Sequence, residues 1–372
     1  MVDYMVSVFK KPSAGTAISV LCFFLFVMLF RDSDIAGEHM RRGLRICSET
    51  LIPSLFPFMV ISELLVNSGA CEPLTRLMKR PMALLFGASG ECASALLLGV
   101  ICGFPVGART AASLYSRGDI TRAECEHLLS YCNYPSAPFM IFAVGEGMFG
   151  SKRIGLFLYC TVLLSGLICG ALMRPKEKKA RVTRVCDAIS VKSSAFSIFA
   201  SSVVSAAYSV ISVCAFVTFF TCIVGTFSST VAADLPAPLR ALIFSFFELT
   251  SGCAACASIS EPRLSVILAA AAGGWSGLSV FLQIYSLTRT EGDALSLAPY
   301  VRAKAISALF CASLAAIATH FFPLLTEGIS TAEDAFSAAF AYPASFTSGV
   351  NIIFVPASLI CFCKLLDRRR KI

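Results

Sequence analysis

The sequence predicts an all-α polytopic membrane protein, an inverted repeat with two re-entrant helical hairpins and about seven to nine transmembrane helices. Three observations predict it. Of 372 residues, 56% are hydrophobic and only 15% charged, with mean hydropathy +0.77; a soluble domain carries about 25% charged residues. Several apolar runs approach the roughly 20 residues that cross a bilayer as helix, and they are continuous rather than alternating, which excludes a β-barrel. Third, Gly, Pro and a lone Arg break the hydrophobic run Gly103-Phe104-Pro105-Val106-Gly107-Ala108-Arg109. Its Gly-x3-Gly, followed by Tyr115-Ser116, recurs as Gly273, Gly277 and Tyr285-Ser286 at the corresponding point of the second half.

Taken in order, Lys10 and Lys11 precede an apolar run over 14–30. No small-x-small cleavage pattern follows and further spans do, so it reads as an uncleaved first helix. Residues 31–45 are polar with mixed charge, and 50–66 form a second span with Pro53 and Pro57 as kinks. After the basic turn Arg76, Lys79, Arg80, the stretch 81–98 has short apolar legs around Gly87-Ala88-Ser89-Gly90-Glu91. A straight span would bury Glu91 at a cost of about 2.5–3.5 kcal/mol, so a re-entrant hairpin with its tip there is expected. It leads into the focal stretch 103–116. Residues 117–130 are charged and read as an interfacial helix; Tyr131 to Pro138 holds two Pro and an Asn and reads as irregular backbone. A clean span covers 154–173.

The loop 174–192 is the most basic of the chain. Its 181–192 portion divides a first repeat with an N-terminal helix (1–180) from a second repeat with a C-terminal helix (193–372). The second half has a long span in 196–227, a run over 241–258 broken at Glu248-Leu249-Thr250-Ser251-Gly252, the focal partner within 264–287, and spans at 300–322 and 340–363. The break at 248–252 predicts the second hairpin. With Lys10, Lys11, the 174–192 loop and the basic tail on the cytoplasmic side, the focal stretch runs outward and its partner inward. The net charge of +8 thus follows topology and does not signal nucleic acid.

Broken helices at membrane depth leave free backbone groups that are tolerable only against a cavity. Helix starts there attract anions. Gly103 and Gly107 let backbone approach a ligand, and Pro105 removes a helix hydrogen bond. An intramembrane Arg is expensive and its fork fits a carboxylate. Arg109 is therefore an anion ligand, the partner of Glu91, Glu248 or backbone carbonyls, or a side chain that snorkels to the interface. Asn133 either offers its amide to a ligand or caps the preceding helix. Ser276, Gly277, Ser279 and Gln283 are wall residues of the same site or interhelical glue. Glu91 and Glu248 either bind a coupling cation or proton or stand as structural hairpin-tip residues.

The 17 cysteines are scattered through apolar segments and read as small buried hydrophobes. Cys253-Ala-Ala-Cys256 lacks a second pair or a nearby His, and His39, His127 and His320 are dispersed, so no metal site is expected. No Walker motif, His-Glu-x-x-His or Gly-x-Ser-x-Gly is present. No enzyme activity and no cofactor are expected, and energy would come from a gradient or a partner.

The stretch Gly103 to Arg109 with Leu114-Tyr115 and Gly118, then Cys132-Asn133, then Val144-Gly-Glu-Gly-Met-Phe-Gly-Ser151, resembles the sporulation integral membrane protein family (YlbJ, stage V sporulation protein V). Glu248 to Gly252 and Gly274 with Gly277 to Gln283 are similar too; Tyr134-Pro135 departs from the pattern, where a second Asn and a small residue are expected. The resemblance covers residues 40–320. It implies transport of dipicolinic acid across the outer forespore membrane, and a likeness to gate proteins of the nucleoside-transporter type, whose paired re-entrant hairpins match the repeat. A dicarboxylate suits an Arg between opposed helix ends. The alternatives are a nucleoside or other solute transporter of the same architecture, or a non-transporting sporulation assembly protein. Expected partners are a small anionic substrate, the lipid bilayer, other sporulation membrane proteins and a second copy of the chain.

Overall fold

In the computed structural model residues 14–68, 72–174, 195–230, 234–290 and 293–323 are described. The predicted span at 340–363, the basic linker 181–192 and the basic tail lie outside them. The described chain is helical apart from turns and a two-residue antiparallel ladder pairing Arg289–Thr290 with Asp293–Ala294. Among the described residues four helices are long and apolar enough to cross a bilayer: Lys152–Leu172, Ala195–Thr230, Pro262–Thr288 and Ala298–Phe321. The chain is an integral membrane protein.

α1 (Ala14–Arg31) presents Phe23, Phe26 and Phe30 outward, as a helix with lipid on most sides does. α2 (Ser33–Ile46) continues through a π turn (Cys47–Leu51) into α3 (Ile52–Asn67). The polar stretch after the first helix is therefore helix. It packs along α10 (Ala195–Thr230) because small residues let the backbones meet: a Cβ on Gly43 would lie 2.9 Å from Thr218 Cα. The pair is antiparallel. His39 meets Ser229 at one end, and Asn67 meets Ser202 at the other.

α4 (Glu72–Pro81) is amphipathic, with Arg76, Lys79 and Arg80 exposed, and passes through a second π turn (Met82–Phe86) to the turn at 87–91. There Ser89 N–H donates to Glu124 at 3.0 Å and Arg174 donates to the Leu84 carbonyl at 3.1 Å. His127 binds the Gly170 carbonyl and Glu126 accepts from Ser296 N–H. These contacts gather 84–91, α7 (Arg122–Leu129), the end of α9 (Lys152–Leu172) and the start of α15 (Ala298–Phe321) at one charged end of the bundle. The capping box of Thr121 and Glu124 starts α7 there.

This relocates the first hairpin. Glu91 sits at the charged end and not at a buried tip. The chain reverses one helix further on, between α5 (Cys92–Cys102) and α6 (Val106–Ser116), with both open ends at the charged end. Gly103, at φ +80°, makes the reversal, and the Phe104–Pro105 peptide is cis. α5 has 11 residues, so the tip lies about 16 Å inward. The focal stretch thus folds back instead of running outward. Its sequence partner behaves differently: α13 (Pro262–Trp275) breaks at Ser276 and Gly277, with φ +73° and +89°, and resumes as α14 (Leu278–Thr288) without folding back. The positive-φ glycines differ as well, Gly103 in the first copy and Gly277 in the second, so the Gly-x3-Gly match is not a structural correspondence.

The second hairpin is where the sequence places it. α11 (Ala237–Phe247) and α12 (Leu249–Ala257) fold back at Glu248, with Gly252 against Ser245. α13 runs antiparallel to α15, with Arg263 near Ala316 and Gly274 against Ala308. The α12–α13 connection is consequently at the end of the bundle remote from the charged one. The two hairpins open toward opposite ends. α8 (Phe139–Met148), a π-helix of 10 residues, turns back on α9 at Gly145 and Gly155 and does not span.

Candidate functional site

Each hairpin tip abuts an irregular segment. Tip 103–105 meets the 131–136 stretch: Phe104 N–H donates to the Tyr134 carbonyl at 2.6 Å, and a Cβ on Gly103 would lie 2.6 Å from Ser136 N. Gly99 and Gly107 clasp the Cys132 carbonyl from both legs of the hairpin. Any side chain at either position would strike backbone. The freed polar groups of two irregular segments thus serve each other, as burial demands. Gly103, Pro105, Gly107 and Asn133 are brought together here.

The second tip meets the α13–α14 break. A Cβ on Gly277 would lie 3.1 Å from Glu248 Cα. Glu248 caps α12: its two carboxylate oxygens accept from Thr250 N–H at 2.9 Å and Ser251 N–H at 2.6 Å. That is the structural alternative for this residue, and it places negative charge on the helix start. Ser276 donates to the Gly273 carbonyl, Gln283 donates to Ser279 at 3.2 Å, and Trp275 donates to the Phe246 carbonyl at 3.1 Å. Ser276, Ser279 and Gln283 are all buried.

Arg109 points elsewhere. Its Nε donates to Glu63 Oε1 at 2.6 Å and its other arm reaches Ser205 Oγ. Glu63, 5% exposed on α3, also takes Asn67. Neither Glu91 nor Glu248 is its partner. The pair borders a narrow crevice lined by Met59, Ser62, Val106, Thr110 and Ser113. It lies on the seam between the α3–α10 pair and the hairpin bundle, beside an apolar cluster of Met59, Cys102, Val106 and Val210 that is separate from the main core. Asn133 Nδ2 donates to the Leu129 carbonyl at 2.8 Å, the helix-end role, while its Oδ1 is buried without a partner.

Sequence reasoning missed two residues. Glu63 was legible as the one acid in an apolar helix. Lys304, 3% exposed on α15, was legible as the cation that lies deeper, past Arg302, in a predicted span; its Nζ donates to the Asn133 carbonyl at 2.7 Å. Intramembrane ionisable residues are expensive and mark sites or partners.

No family model matches the chain, and no solved structure matches it. It is 31% identical over 162 residues to the sporulation integral membrane protein YlbJ of Bacillus subtilis (strain 168), a match covering 43% of this chain and 40% of that protein's length. The chain thus spans well under two thirds of that relative's length, and the likeness is to a part of it.

Proposed function

We propose that this protein is a transporter of a small organic anion, first among them dipicolinate, carried across the outer forespore membrane during sporulation. The observation that carries this reading is the pair of helical hairpins that open to opposite ends and bring their tips to broken backbone in the interior. Such breaks are stable in lipid only where they are buried in protein or line a cavity, and paired discontinuous helices are how transporters build a central site. The architecture is read as an inverted repeat whose hairpins correspond to each other, 92–116 to 237–257. Gly103, Pro105, Gly107 and Asn133 form one wall of the path; Ser276, Gly277, Ser279 and Gln283 form the other. α6 and α14 both begin at interior breaks, where helix starts favour negative charge.

The name of the relative supplies the sporulation context, and the resemblance of the Gly103–Arg109 motif supplies dipicolinate. No catalysis by the chain is part of this reading. The test is uptake of labelled dipicolinate into liposomes carrying the purified protein. Saturable uptake, competed by other dicarboxylates but not by uridine, is expected. Uridine uptake without dipicolinate uptake would transfer the assignment to nucleosides, and no uptake of either would remove the transport reading.

A further inference from the structure

We propose that Lys304, with the hydroxyls of Tyr134 and Tyr300, forms a carboxylate-binding site in the interior, and that this lysine, not Arg109, is the cation that meets the substrate. The proposal rests on the anion-transport reading above and names its site.

Lys304 is 3% exposed, and among the described residues no carboxylate lies within ion-pair distance of it. Its one recorded hydrogen bond goes to the Asn133 carbonyl at 2.7 Å. An ammonium has three donors, so two remain for a ligand. The rings of Tyr134 and Tyr300 lie 5.7 and 5.8 Å from Nζ. Both tyrosines are fully buried, and both hydroxyls, like Asn133 Oδ1, have no partner in the protein. Unpartnered buried hydroxyls cost free energy, and an uncompensated buried charge costs more. A cation over two tyrosine rings whose buried hydroxyls lack partners offers a carboxylate a counter-charge and hydroxyl donors, and the carboxylate supplies the missing charge. Arg109 already has its carboxylate in Glu63.

The placement fits a transport path. Lys304 reaches the carbonyl of a residue in the irregular stretch 131–136, the segment that the first hairpin tip clasps. Tyr300 stacks edge-on against Phe281 of α14, beyond the break at 276–277. The site therefore touches the segment held by the first hairpin and the helix that follows the break beside the second.

The test measures dipicolinate affinity by calorimetry on the purified protein, and thermal midpoints without ligand, for the wild type, Lys304→Met, and the double variant Tyr134→Phe/Tyr300→Phe. The expected result is at least a tenfold loss of affinity in Lys304→Met, a smaller loss in the double variant, and a ligand-free midpoint that holds or rises in both. Wild-type affinity in a folded Lys304→Met overturns the site while leaving anion transport standing. If Lys304→Met does not fold, unchanged affinity in the double variant overturns it instead. No wild-type binding of dipicolinate, with uridine bound, sinks the anion reading itself and this site with it.

Discussion

Arg109 shows how much a single residue's meaning depends on what faces it. Read in sequence it is a lone cation beside two glycines, and an anion ligand is a fair expectation. In the fold its charge is answered by Glu63, whose side chain is 6% exposed while that of Arg109 is 28% exposed. Breaking such a pair leaves a buried charge alone, which costs about 3–5 kcal/mol when both partners are buried. Arg109→Gln, which strands the buried Glu63 carboxylate, should therefore lower stability by about 3 kcal/mol, and Glu63→Gln by less, since the guanidinium it strands is partly solvated. Glu63→Gln/Arg109→Gln should cost less than the sum of the singles. Thermal unfolding in detergent checks this; strict additivity would mean that the two groups do not interact. Glu63 escaped notice because Pro53 and Pro57 drew the reading of its helix toward kinks. Lys304 escaped because its partner is a backbone carbonyl from a distant segment, and sequence spacing gives no hint of that.

At the scale of elements, helices were legible and their directions were not. Apolar length located α9, α10, α13 to α14 and α15, since a bilayer dictates that length. The second hairpin was legible because Glu248 and Gly252 interrupt a run too short to cross twice. The first was placed one helix too early. Both 87–91 and 103–107 are glycine-bearing interruptions, and the difference between them is tertiary: Glu124 and Arg174 hold the former at the charged end, while the Cys132 carbonyl lies between Gly99 and Gly107. The clasp makes a sharp prediction. Gly107→Ala drives a methyl into backbone that cannot step aside, and should cost about 3 kcal/mol or prevent folding. Gly118→Ala, at φ +71° with nothing within 4 Å, should cost only the left-handed penalty of roughly 1–2 kcal/mol. Equal thermal midpoints for the two variants would contradict the clasp.

For the whole molecule, the opposed hairpins fix which loops share a side. Ser260, exposed beside the end of the second hairpin, and Gly118, in the turn after the first, should lie across the bilayer from each other. With Ser260→Cys and Gly118→Cys, an impermeant maleimide added outside sealed vesicles should label one and spare the other, read peptide by peptide by mass spectrometry because of the native cysteines. Labelling of both from one side would undo the opposed arrangement. Sequence charge alone put both positions on the outer side, because it let the focal stretch run outward and its partner inward. α10 has one more implication. Its 36 residues carry no charge and extend about 54 Å, against a hydrocarbon slab of about 30 Å. Even leaning by about 40°, the rod outlasts the membrane by roughly 10 Å. An oily overhang needs a wet coat, and α2, with Asp34, Glu38, Arg41, Arg42 and Arg45 along a helix seated on that stretch by Gly43, is the coat.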